Sequence, residues 1–336
     1  MLELLLTLAA DSSFTSYHVG NSLTWDSSPS NLGALSEHPS STQIQNGWHI
    51  RCGMSLDYIY SNPTEVCVPP TSFGTWDHAL TEKNSWDALT IQPFPRFTST
   101  FLSDVSVVNS MADRCFQNDG FDKKVFIYSG WPWQSDAGFV SDWNRPVGMD
   151  GTQPTIISLA YMESLVDELR SDRANAVYLI PVGQVLYNLG ISLEQDPFEY
   201  SNSSGEMQVF DSTYSLYRDQ YHLDLQFGRY VALMTMYTCL VGEMPHFVDG
   251  ISTGVGTVPL AWHQRIEGVI RETLAQSERT GLRWNYDFND DGLVDFADVL
   301  AVLVAWGTCQ YCEQDVDRDG EVGFAELIGT LNNWGV

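Results

Sequence analysis

Between residue 15 and about residue 280, short apolar runs alternate with longer stretches in which apolar residues recur at helical spacing. The runs 16–19, 43–50, 88–92, 124–128 and 176–180 predict strands, and 105–116, 154–170, 225–241 and 259–276 predict helices. Pro154 and Pro259 stand where proline suits the first turn of a helix. Strand and helix in alternation predict a parallel sheet covered on both faces, a doubly wound three-layer α/β domain. The ligand site of such a domain lies at the carboxyl ends of its strands.

From residue 283 the pattern changes. Asp287, Asn289, Asp291, Gly292 and Asp298 occupy positions 1, 3, 5, 6 and 12 of one loop, and Asp315, Asp317, Asp319, Gly320 and Glu326 repeat that spacing 28 residues later. A large hard cation needs several oxygen donors at one point and a turn that glycine makes cheaply, so each loop reads as a calcium site. The stretches 287–307 and 315–335 match at nine of 21 positions, including Phe296 with Phe324, Leu303 with Leu331 and Trp306 with Trp334. Each unit is a loop followed by one helix, and the pair is expected to bury its Phe, Leu and Trp residues mutually.

This small, all-α calcium-loop domain resembles the dockerin type I module. The resemblance implies two structural Ca2+ ions. One would be held by Asp287, Asn289, Asp291, Asp295 and Asp298 with the Leu293 carbonyl. The other would be held by Asp315, Asp317, Asp319 and Glu326 with the Glu321 carbonyl. It also implies a cohesin-like receptor as partner.

Composition sharpens this picture. Sixteen basic residues against 43 acids give a formal charge of −27, which excludes nucleic acid as a partner because few cations are present to displace phosphate counterions. Residues 286–336 hold eleven acids and one basic residue, Arg318, so without cation the module is expected to open while the larger domain stays folded. Six cysteines suit an exported protein, with their pairing open. Cys309 and Cys312 lack a second pair or a nearby histidine for zinc, which leaves a disulfide between the loops or two thiols.

The first ten residues have the apolar run of a signal peptide without a basic start. No apolar stretch approaches the roughly 20 residues of a membrane span. These features predict a secreted, cell-surface or periplasmic protein with a residual signal segment (1–13), a large domain (14–282) and the calcium module (283–336).

The large domain carries candidate chemistry at its two ends. Gly20-Asn21-Ser22-Leu23 follows the first predicted strand, and a serine on a strand-to-helix turn presents its hydroxyl at the sheet's carboxyl edge. Asp219 and His222 precede the helix predicted from 225, and three-residue spacing lets one loop deliver both imidazole and carboxylate. His222 would take the serine proton while Asp219 fixes its tautomer. His18, His49 and His78 lack such partners and read as structural. Trp131, Trp133 and Trp143 could stack on sugar rings or pack in the core. Gly254-Val-Gly256 lacks the third glycine of a dinucleotide loop.

The two motifs, their order and the flavodoxin-like pattern around them resemble the SGNH/GDSL hydrolase superfamily over residues 15 to 245. The resemblance implies Ser22 as nucleophile, His222 as base, Asp219 as its partner and Gly53 as an oxyanion donor. Asn21 stands where the family has aspartate. The family's Gly-x-Asn-Asp block is replaced by Trp86-Asp-Ala-Leu-Thr-Ile-Gln92, so Gln92 becomes the candidate second donor. The expected activity is a serine esterase acting on an ester, such as an acylated carbohydrate. The competing expectation is a non-catalytic glycan-binding or surface-assembly protein with a decayed hydrolase fold.

Overall fold

The structure, a computed structural model, describes residues 13–38, 41–81, 86–94, 100–116, 120–134, 143, 158–202, 204–284, 286–289, 291 and 293–335. Its centre is a parallel sheet of β1 (Ser13–Gly20), β2 (Gln43–Ile50), β3 (Ala88–Ile91), β4 (Lys124–Tyr128) and β5 (Ala176–Ile180). The strand order is β2-β1-β3-β4-β5, the flavodoxin-like order. Strands β3 and β5 are buried along their whole length, as expected of a sheet covered on both faces by helices. Order reverses between β1 and β3, so a crevice opens beyond Gly20 and Ile91, where parallel sheets bind ligands.

Three of the five strands have the predicted bounds, and helix ends moved where local hydrogen bonds decided them. Thr100 and Ser103 exchange backbone-to-side-chain bonds of 2.8 and 3.1 Å, which starts the helix Phe101–Phe116 four residues early. Asp224 accepts from the amides of Gln226, Phe227 and Gly228, so the next predicted helix begins at Phe227 instead of 225. Pro259 is the N-cap of Leu260–Ala275. Ser158 caps Leu159–Asp172, and Pro154 lies outside the described residues, as does the apolar start of the chain. The helix Val182–Gln195 and the hairpin Phe198–Ser201 with Met207–Phe210 were not predicted. Among the described residues no helix is long and apolar enough to cross a membrane.

The C-terminal repeats form two loop-helix units, with helices Phe296–Ala305 and Phe324–Asn332. A short antiparallel pair, Gly307–Thr308 with Glu321–Val322, ties one loop to the other, an addition to the helices expected. The expectation of mutual burial is corrected here. Phe288, Val302 and Val322 make the module's core, whereas Phe296 is 61% exposed, Phe324 71% and Trp334 49%. The helices meet through the Val302 side, so matching positions of both repeats are turned outward together. Trp306 and Phe324 keep one edge-on contact at 5.1 Å.

Gly20, the last residue of β1, shows how tightly the crevice floor is packed. A Cβ there would stand 2.9 Å from both Cβ and Oε1 of Gln92 and press on the Thr24 hydroxyl. Overpacking a filled interior costs about 1–3 kcal/mol. Gly20→Ala is therefore expected to lower the unfolding free energy in urea by that amount. A loss below about 0.5 kcal/mol, the scale of a neutral surface change, would refute the close packing.

Candidate functional site

Asn21 builds the turn after β1. Its backbone is extended (φ −112°, ψ −157°) and its side-chain oxygen accepts from Leu23 N at 2.9 Å, which caps the helix Ser22–Asp26. Its amide nitrogen reaches across to Met54 O at 3.3 Å. Ser22 thus opens the helix, half-buried, at the carboxyl end of β1. One amide serves both bonds, accepting at one end and donating at the other.

Gln92 secures the same turn from β3. Its N–H donates to Val19 O at 2.9 Å, and its Oε1 accepts from Asn21 N (3.2 Å), Thr24 N (3.0 Å) and the Thr24 hydroxyl (2.5 Å). Two backbone donors fix which end of the amide is oxygen. The other end, Nε2, is buried and has no hydrogen-bond partner among the described residues. A buried donor left unpaired is uncommon and costly.

Gly53 follows β2 in a left-handed conformation (φ +66°), open to glycine at little cost. Two bonds hold its turn beside the Ser22 turn: Arg51 N donates to Gly20 O at 2.9 Å, and Asn21 reaches Met54 O. A Cys52–Cys67 disulfide staples the base of this turn, a pairing the sequence left open. Cys309 and Cys312 also form a disulfide, while Cys115 and Cys239 are free.

Asp219 and His222 meet as the spacing predicted. His222 Nδ1 lies 2.9 Å from Asp219 Oδ2 and 3.0 Å from Oδ1, and Oδ1 also accepts from the backbone N–H of Tyr221 and His222. Burial pushes the Asp219 carboxyl up, but these donors together outweigh it and hold it below the usual carboxylate range. A ring donating from Nδ1 keeps its Nε2 lone pair for another proton.

What brings this loop to Ser22 is a residue that sequence reasoning missed. Asp26 ends the serine's helix, fully buried, and its Oδ2 accepts from Leu223 N at 2.9 Å. Its Oδ1 also takes Arg229 Nη2 at 2.7 Å and Arg218 Nη1 at 3.2 Å. Leu223, the neighbour of His222, is therefore tied to the residue four positions after Ser22 in the same helix, a rise of about 6 Å along its axis. Ser22 and His222 share no hydrogen bond, so of the expected Ser22–His222–Asp219 relay only the Asp219–His222 link is closed. An aspartate next to a tryptophan carries no periodic signal that could have revealed the clamp.

The remaining aromatic and histidine candidates separate by burial. Trp131 and Trp143 are core residues, the former donating to Tyr221 O at 2.8 Å. Trp133 is exposed and packs edge-on against Tyr221, at 5.2 Å, beside His222. His18 is fully buried against the Ser16 hydroxyl at 3.0 Å, and desolvation pushes its pKa down to about 3. His49 is buried too, beside Trp76 N, as structural histidines would be.

In the second acidic loop, the carboxylates of Asp315, Asp317 and Glu326 bring oxygens within 4.8 Å of one another. Asp315 is folded over by amides of Asp319 (3.1 Å) and Gly320 (3.0 Å), yet burial, with Asp317 and Asp319 nearby, pushes its carboxyl up to about 7. Such a donor set, hard and short of positive charge, fits a calcium ion. Asp319 Oδ1 accepts from Glu321 N at 2.8 Å. Among the described residues, the first loop brings no three carboxylates so close. Asp287 and Asn289 both accept from Asp291 N, and Asp291 accepts from Leu293 N. Asp298 bridges Phe288 N and Asp295 N, and Asp295 caps the following helix through Ala297 N.

No protein-family model matches the chain, and no curated protein matches it significantly. Among solved structures it is similar to a DUF4886 family protein from Bacteroides uniformis, with 18% identity and a TM-score of 0.51 over 79% of this chain and 95% of that one. At that identity the likeness shows the fold, a central parallel sheet flanked by helices.

Proposed function

We propose that the large domain is an exported SGNH-type serine ester hydrolase and that the C-terminal repeats are a dockerin-like module holding two calcium ions. The observation that carries the first reading is the Asp219–His222 pair, 2.9 Å apart, hung by Asp26 on the helix that Ser22 opens. In this reading His222 Nε2 takes the Ser22 proton as Oγ attacks the acyl carbon. The resulting oxyanion is met by the Ser22 and Gly53 amides and Gln92 Nε2. Collapse expels the alcohol, which receives the proton from His222, and a water activated by His222 then releases the acid from Ser22. The exposed Trp133 and Tyr221 beside His222 suit a ring-bearing alcohol such as an acylated glycan.

The outward apolar faces of the module, with Phe296, Phe324 and Trp334 exposed, support the reading that it docks to a cohesin-like receptor. The disulfide Cys52–Cys67 supports an oxidising, extracytoplasmic setting.

Ser22→Ala and His222→Ala are each expected to abolish hydrolysis of short-chain p-nitrophenyl or acetyl-sugar esters with the fold retained by circular dichroism. A fluorophosphonate probe should label wild-type Ser22. Activity surviving either change would remove the mechanism, and an unlabelled serine would favour a non-catalytic glycan-binding protein. Gln92→Glu keeps the acceptor that holds the Ser22 turn and removes the free N–H, so kcat is expected to fall ~10²- to 10³-fold with KM little changed. A kcat within twofold of wild type would take Gln92 out of the oxyanion hole. Calorimetric titration should count two calcium ions per chain, and Asp315→Ala should lose one of them. Two ions retained in that variant would argue against the second loop as a site.

A further inference from the structure

The single basic residue of 286–336 is buried against the large domain. Arg318 is 2% exposed, donates from Nη1 to Thr280 O at 3.1 Å and from Nη2 to Cys239 O at 2.9 Å, and lies over the Tyr178 ring at 5.0 Å. Those partners come from β5, from the helix Phe227–Val241 and from the turn after Leu260–Ala275. Around it, Tyr311 accepts from Val177 N at 2.8 Å, and Arg170 stacks on the Tyr311 ring at 3.9 Å. The attachment lies at the amino ends of β4 and β5, opposite the Ser22 crevice.

Arg318 reaches this position because of the loop's backbone. It stands between Asp317 and Asp319, with φ +59°, a left-handed conformation that a residue with a Cβ seldom adopts. Gly320, two residues on, has φ +90°, and a Cβ there would meet Phe121 at 2.7 Å. The two left-handed residues of the loop both meet the large domain, and they lie in the same turn that brings Asp315, Asp317 and Glu326 about one point. Carboxylates this close repel one another unless a cation holds them, and moving them apart would shift the backbone that carries Arg318.

We propose that filling the second loop with calcium and burying Arg318 are one coupled event, so that the ion stabilises the large domain as well as the module. This inference rests on the calcium reading above. It replaces the picture of an independent appendage with that of a latch: ion binding is linked to folding of any part whose structure the bound loop favours.

The test uses the full chain, with calorimetric titration reporting ion binding and hydrogen exchange reporting β4 and β5 separately. In wild type, calcium should raise amide protection in Lys124–Tyr128 and Ala176–Ile180 at least about tenfold, the effect expected once free ion well exceeds its dissociation constant. Arg318→Ala should still bind two ions yet lose most of that increment. Asp317→Asn, which keeps Arg318 but weakens the second site, should lose it as well, and serves if Arg318→Ala does not fold. Ions bound without added protection of β4 and β5 in wild type would overturn the coupling and leave the calcium reading standing. A full increment in either folded variant would also overturn it. Absence of binding would overturn both.

Discussion

The buried carboxylate of Asp26 is the contact on which the candidate site depends. It sits at the end of the helix that Ser22 begins, and it holds Leu223 N, Arg229 and Arg218 from a segment some two hundred residues away in the chain. A charge with no exposed surface is tolerated only when it is surrounded by donors, and losing a partner in such a cluster typically costs about 3–5 kcal/mol. The same arrangement that makes the charge tolerable fixes one geometry. Leu223 follows His222 directly, so the imidazole is positioned relative to the serine turn by backbone and ion pairing, before any hydrogen bond between the two side chains exists.

Around this clamp, the crevice floor is assembled from the ends of neighbouring strands. β1 delivers Gly20 and the serine turn, β3 delivers Gln92, and β2 delivers the Gly53 turn with its disulfide. Gln92 spends its oxygen on holding the serine turn and leaves its buried N–H unpaired among the described residues. Glycine at position 20 is required by that close approach. The geometry therefore gathers the Ser22 turn, the Gly53 turn and the Gln92 amide at the carboxyl end of β1.

The module is organised by charge instead of apolar burial. Its own core is small, three residues with neighbours, and its larger apolar side chains face outward. What secures it to the large domain is a guanidinium inserted among backbone carbonyls and aromatic rings. The acidic loop that reads as a cation site also carries Arg318 and Gly320, which meet the large domain, and Tyr311 just before it adds a further contact.

The five strands and four of the five long helices of the large domain were legible because burial leaves continuous apolar runs in strands and a period of 3.6 in helices, and β2, β4 and β5 have the predicted bounds. The Asp219–His222 pair was legible for a similar reason: three residues in one loop can meet without help from elsewhere. The clamp at Asp26, the orientation of Gln92 and the insertion of Arg318 were not, since each joins residues far apart in the chain whose types carry no period. Local spacing by itself determined the elements, the acidic loops and the candidate carboxylate–imidazole pair. Only the tertiary structure decided which distant turns share a crevice and where the module attaches, because those outcomes rest on burying charges whose partners the chain order does not name.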